Sequence, residues 1–232
     1  MNHLKTGNKL IFKLFLSAGI FILSQNVRAQ NSKTLFYENE FSLSIPHKEL
    51  WSIDVGLGNR GMLLTSHETE KNKGYQHEHV EVNSFLNYEI HKPVTLSLGL
   101  RYRLRDYFDP SETNEFRIIE QLEITPSASS LPLSHRIRLE QRFREILVHR
   151  LRYAIDASFQ LHNGITVVAG TESLYAIAAL AKPEAEQRFA LSLENPLLKD
   201  LELELTLEYR MEDLLRNLAH EFFLITGITL SL

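Results

Sequence analysis

The 232-residue chain has no cysteine, one tryptophan and only seven prolines. The missing cysteines exclude a disulfide scaffold, a thiolate zinc site and a cysteine nucleophile together. Few prolines, with 23% charged and 44% hydrophobic side chains, argue against a disordered chain. The 25 basic and 29 acidic residues leave a net charge of −4, so no basic surplus invites nucleic acid as a partner. A transmembrane helix is lacking too, because the apolar run at residues 14–24 falls well short of the roughly 20 residues a spanning helix needs.

That short run has a different meaning. Lys5, Lys9 and Lys13 precede or open it, and it ends near Val27, Arg28 and Ala29. A basic stretch, an apolar stretch of this length and small residues at −3 and −1 predict a secretory signal peptide over 1–29, cut after Ala29. The mature domain is then 30–232, 203 residues long, and losing Lys5, Lys9, Lys13 and Arg28 takes its net charge from −4 to −8. No cysteine follows the cut, which excludes a lipoprotein anchor. Export leaves three destinations: the periplasm, the outer membrane or the outside.

Beyond residue 33 the dominant period is two rather than 3.6. In 94–104, Val94, Leu96, Leu98, Leu100, Tyr102 and Leu104 alternate with Thr95, Ser97, Gly99, Arg101 and Arg103. In 201–211 the leucines, Tyr209 and Met211 alternate with Glu202, Glu204, Thr206, Glu208 and Arg210. Similar segments run at 34–45, 50–64, 76–90, 114–125, 133–145, 147–161, 164–178, 186–195 and 218–232. Turn residues break the pattern at 46–49, 91–93, 125–132, 162–164 and 195–200. More polar or longer breaks fall at 65–75, 106–113, 179–185 and 212–217. Shorter and longer connections thus alternate, as in an antiparallel up-and-down transmembrane β-barrel. The expected fold is all-β with about 10 strands (10–12), in which segment 34–45 is the awkward extra element.

The two faces differ in kind. The polar face carries Arg101, Arg103 and Arg105 on one strand and Arg136, Arg138, Glu140, Arg142 and Arg144 on another. It cannot meet lipid, where each arginine at mid-membrane costs roughly 2–4 kcal/mol. Interleaved arginine and glutamate suit a hydrated lumen in which neighbouring strands pair opposite charges. The expected lumen network is Arg101, Arg103, Arg136, Arg138, Glu140, Arg142, Arg152, Glu172, Glu202 and Glu204. Aromatics share the apolar parity and sit near strand ends. Tyr102, Phe116, Phe143, Tyr175, Phe189, Tyr209 and Phe222 lie toward one rim, and Trp51, Tyr88 and Phe159 toward the other. Two aromatic girdles around an aliphatic belt are what amphipathic rings favour at a lipid–water boundary.

HRIRLEQRF (135–143) followed by HRLRY (149–153) resembles the uncharacterised Gram-negative outer-membrane family known as domain of unknown function 2490. Further compatible pieces are LGLRYR (98–103), EFRIIEQLEI (115–124) and EQRFALSL (186–193). The resemblance implies an outer-membrane β-barrel whose partners are outer-membrane lipid and the machinery that assembles such barrels. It supplies no catalytic residue and no cofactor.

Little in the sequence suggests chemistry. His77, His79 and Glu81, spaced by two, would share one strand face and form a weak metal candidate. Ser134 beside His135 points to opposite faces, and Asp156 near His162 forms no nucleophile–base arrangement. His149 and His220 fall on the apolar parity close to loops. Glycine-rich phosphate loops and paired-histidine zinc motifs are absent. Three function classes remain open: a structural or binding barrel with a charged, largely filled lumen, a narrow channel or transport component, and a hydrolase at the outer rim.

Overall fold

The computed structural model describes residues 33–66, 71–125, 132–161, 164–179 and 181–232. The predicted signal peptide and His162 lie outside them. Among the described residues the chain forms eleven strands and no α-helix. They are β1 (Lys33–Lys48), β2 (Trp51–Ser66), β3 (Lys71–His91), β4 (Val94–Leu104), β5 (Glu115–Ile124), β6 (Leu133–Phe143), β7 (Leu147–Gln160), β8 (Thr166–Ala178), β9 (Glu184–Leu198), β10 (Leu201–Glu212) and β11 (Ala219–Ser231). Each strand hydrogen-bonds to its sequence neighbour, and β1 closes the barrel on β11. Closure leaves no edge strand to pair with another chain.

Segment 34–45 is a full member of the wall, so the count is eleven rather than about ten. The odd number changes the topology. Ten of the junctions are antiparallel, but β1 and β11 run the same way and pair in parallel, from Lys33 with His220 to Ser44 with Ser231. A purely antiparallel up-and-down barrel needs an even number of strands, because alternating directions must match where the sheet meets itself. The Leu232 N–H donating to the Ser44 carbonyl at 3.0 Å fastens the end of this seam.

The rim where β1 begins is here the upper rim, and the rim holding the C-terminus is the lower. Two-residue turns at 49–50, 92–93 and 199–200 lie on the lower rim, and the longer 105–114 and 213–218 connections on the upper. The alternation of lengths is imperfect, because 125–132 is a long lower connection and 144–146 a short upper one. In the upper 105–114 loop, the Ser111 hydroxyl and backbone N–H both donate to Asp109, holding its carboxyl below the usual range.

Burial is inverted relative to a water-soluble fold. Leu57, Leu98 and Leu207 point outward and are 52%, 53% and 60% exposed. Ile119, Glu115, Arg117 and Glu140 point inward and are 0–2% exposed. Charged side chains are almost never buried unless paired, so the interior must supply partners. Three inward phenyl rings help to fill the rest. Phe36 stacks on Phe223 at 4.7 Å, with the Arg210 guanidinium 3.6 Å from the Phe223 ring centre. Phe85 lies across Gly99 on β4, where a Cβ would come within 2.3 Å of the ring.

Candidate functional site

The signature HRIRLEQRF is the β6 strand, and its parity explains its composition. Ser134, Arg136, Arg138, Glu140 and Arg142 point into the lumen, while His135, Ile137, Leu139, Gln141 and Phe143 point out. Arg150 and Arg152 of the following HRLRY enter the lumen from β7. Glu140 therefore sits at the centre of an arginine cluster: Arg152 at 2.9 Å, Arg117 at 3.5 Å, Arg150 at 3.7 Å and Arg138 at 3.9 Å.

From Glu140 the ion pairs close into a ring across four strands. Arg152 reaches Glu172 at 2.5 Å, and Glu172 lies 3.7 Å from Arg188. Arg188 holds Glu186 at 2.5 Å, which meets Arg150 at 3.6 Å, and Arg150 returns to Glu140. One branch, on Glu115, extends it, and a separate cluster on Glu81 lies beside it. Glu115 takes Arg142 at 2.6 Å, Arg144 at 2.7 Å and a short contact from Arg117. Glu81 takes Arg103 at 2.6 Å and Arg101 at 3.2 Å. Arg136 joins through Glu172 at 3.6 Å.

Register decides who pairs. Glu140 with Arg150, Glu172 with Arg188 and Glu81 with Arg103 are direct cross-strand neighbours. Yet Arg101, Arg117 and Arg142 also lie in one row, like charge opposite like charge. That row is tolerable because Glu81, Glu115 and Glu140 reach in diagonally from the next positions. Across ring, branch and cluster, ten arginines meet only five glutamates, so the carboxylates are the scarce component of this network.

Eight of the ten lumen residues expected from the sequence belong to this network. Glu202 and Glu204 do not. They lie lower, on β10, where Glu204 opposes Glu194 directly and accepts a hydrogen bond from Thr206 at 2.5 Å. Glu202, Glu204 and Glu194 have no ion pair among the described residues, so the lower lumen is acidic on this side. Conversely, Glu115, Arg117, Arg150, Glu186 and Arg188 are not among the residues expected from the sequence, and Glu81 is expected only as a metal candidate. Their signal was parity alone, shared with many residues that pair with nothing.

The metal candidate does not assemble. Arg60 pairs with His79 but Gly61 with His77, so Glu78 is the extra residue of a bulge. One inserted residue flips the strand's parity. His79 and Glu81 stay inward, with Nε2 3.8 Å from the carboxylate. His77 turns outward, bonded to the Tyr75 hydroxyl at 2.8 Å and packed on Phe108 at 4.0 Å. Among the described residues no cluster of three or more histidines and carboxylates could hold a metal ion.

The ten girdle aromatics expected from the sequence all take the outward face. Tyr102, Phe116 and Phe143 share one cross-strand row near the upper rim. Phe189, Tyr209 and Phe222 share another, and Tyr175 projects outward on β8. Trp51 packs on Tyr88 at 4.5 Å near the lower rim, and Phe159 lies at the lower end of β7. His220 stacks on Tyr209 and accepts or donates to its hydroxyl at 2.6 Å. Ser134 and His135 face opposite ways, His135 being bonded to the Tyr153 hydroxyl at 3.0 Å.

Residues 52–217 match the family model described as "Protein of unknown function (DUF2490)". No curated protein and no solved structure matches the chain.

Proposed function

The chain belongs to the DUF2490 family of proteins of unknown function, and from that premise we propose that it is an outer-membrane β-barrel, a structural or binding element whose lumen is filled by its own ion pairs. One observation carries this reading: the exposed outer wall is apolar on strand after strand, while the charges are buried inside. A soluble monomer rarely exposes contiguous apolar patches beyond a few hundred Å², whereas lipid favours such a wall. The aromatic rows toward both rims suit two interfacial girdles. The signal peptide and the resemblance to an exported family point the same way. A filled lumen fits the eleven strands, because a barrel so far below the 16 or more strands of an open pore leaves little space beyond its own inward side chains.

Fractionation tests the membrane assignment. The mature protein is expected in the outer-membrane fraction, soluble only in detergent, with gel mobility that changes on boiling. Release by osmotic shock as a soluble periplasmic protein would overturn it. Glu194, Glu202 and Glu204, which have no ion pair among the described residues, favour one second reading, a narrow cation path along the acidic side of the lumen.

A further inference from the structure

We propose that the outward face of β5–β7 is a self-association surface, where a second copy of this chain supplies the hydrogen-bond partners that Glu120, Gln141 and His149 lack. The proposal rests on the outer-membrane reading and deepens it.

Glu120 breaks the pattern of the belt. It points outward from the middle of β5, four residues from the Phe116 girdle position and four from Ile124, directly between Leu98 and Leu139. A carboxylate facing hydrocarbon is costly, and polar groups at that depth persist where something pairs with them. Two other polar sets on the outer wall find partners within the chain. The Asn39 amide donates to Asn59 at 2.9 Å and its oxygen accepts from Thr226 at 2.7 Å. Ser173, Gln187 and Thr171 form a second chain of bonds at 2.6 Å each. Glu120, Gln141 and His149 have no hydrogen-bond or ion-pair partner among the described residues.

The three are contiguous. Gln141 is the direct partner of His149 and of Ile118, two residues above Glu120 on β5. The stripe therefore joins an acceptor, Glu120, to donors on the next two strands. Such a set is self-complementary, as an interface between two identical copies requires. A lysine or arginine on another membrane protein would answer Glu120 but leave Gln141 and His149 with nothing to donate to. Beside the stripe lies an apolar groove of about 520 Å³, walled by Trp51 and Tyr88 on one side and Ile137 and Leu139 on the other. The partner's belt side chains would fill it, with close packing and polar bonds driving association inside the bilayer.

The native chain has no cysteine, so single cysteines report proximity cleanly. Leu139→Cys sits beside Glu120, and Leu207→Cys on β10 serves as the distant control. In intact outer membranes, a short bis-maleimide should give covalent dimers of the Leu139→Cys protein and few of the control. Adding Glu120→Leu should lower the dimer yield roughly fivefold, the scale of one polar bond within a membrane. Glu120→Gln should retain most of it. Boiling-dependent mobility confirms that each variant is folded. Equal dimer yields at the two cysteines, no dimer from Leu139→Cys, or a yield indifferent to Glu120→Leu would overturn the self-association surface alone. Absence of the protein from the membrane fraction would instead overturn the outer-membrane reading beneath it.

Discussion

Glu140→Gln is the sharpest perturbation of the lumen network. The side chain is fully buried and lies within 4 Å of four guanidiniums. Gln is nearly isosteric, so the change removes charge without opening a cavity. Arg117, Arg150 and Arg152 keep a second carboxylate in Glu115, Glu186 and Glu172, but Arg138 loses its only one among the described residues. Removing one member of a buried ion pair costs about 3–5 kcal/mol. Removing an arginine should behave differently, because the network holds twice as many arginines as glutamates. Arg138→Gln gives up two bonds to the Gln121 side-chain oxygen, at 2.6 and 2.9 Å, and a carboxylate 3.9 Å away. Its cost should be about 1 kcal/mol. The double variant should recover part of the Glu140→Gln loss, since the uncompensated cation is gone. Urea titration of the refolded barrel in lipid vesicles, read by boiling-dependent gel mobility, measures all three. Equal costs for the two single variants, or the reverse order, would refute the claim that carboxylates limit this network.

Three further outcomes check the faces and the filling. Leu205 points outward, 43% exposed, so Leu205→Arg should cost roughly 2–4 kcal/mol in a bilayer. On the surface of a soluble barrel the same change would be nearly neutral in a urea titration. In a planar bilayer the purified protein should show no steady porin-sized conductance, and finding one would replace the filled lumen with an open channel. Gly99→Val should cost about 1–3 kcal/mol by urea unfolding, because its Cβ would meet the Phe85 ring at 2.3 Å. A neutral result would mean that the Phe85 ring does not pack over Gly99.

Which side of each strand is charged and which apolar can be read from residue order alone. A period of two is a local property of the extended backbone, so the charged and apolar sides of nearly every strand are readable one residue at a time. Arg136, Arg138, Glu140 and Arg142 could be placed on one face, and Phe143 and Leu139 on the other, without any knowledge of neighbouring strands. The alignment between strands is settled by the closed sheet. Register depends on the stagger of the whole closed sheet, and no local pattern encodes it. Hence Glu140 meets four arginines, while Glu204, equally charged and equally inward, meets Glu194. The Glu78 bulge turned His77 away from His79, because an extra residue matters only against a partner strand. The parallel seam of β1 on β11 is likewise a property of closure. Strand direction can be assigned along the chain, but which two strands meet at the end depends on the number that fit around the barrel.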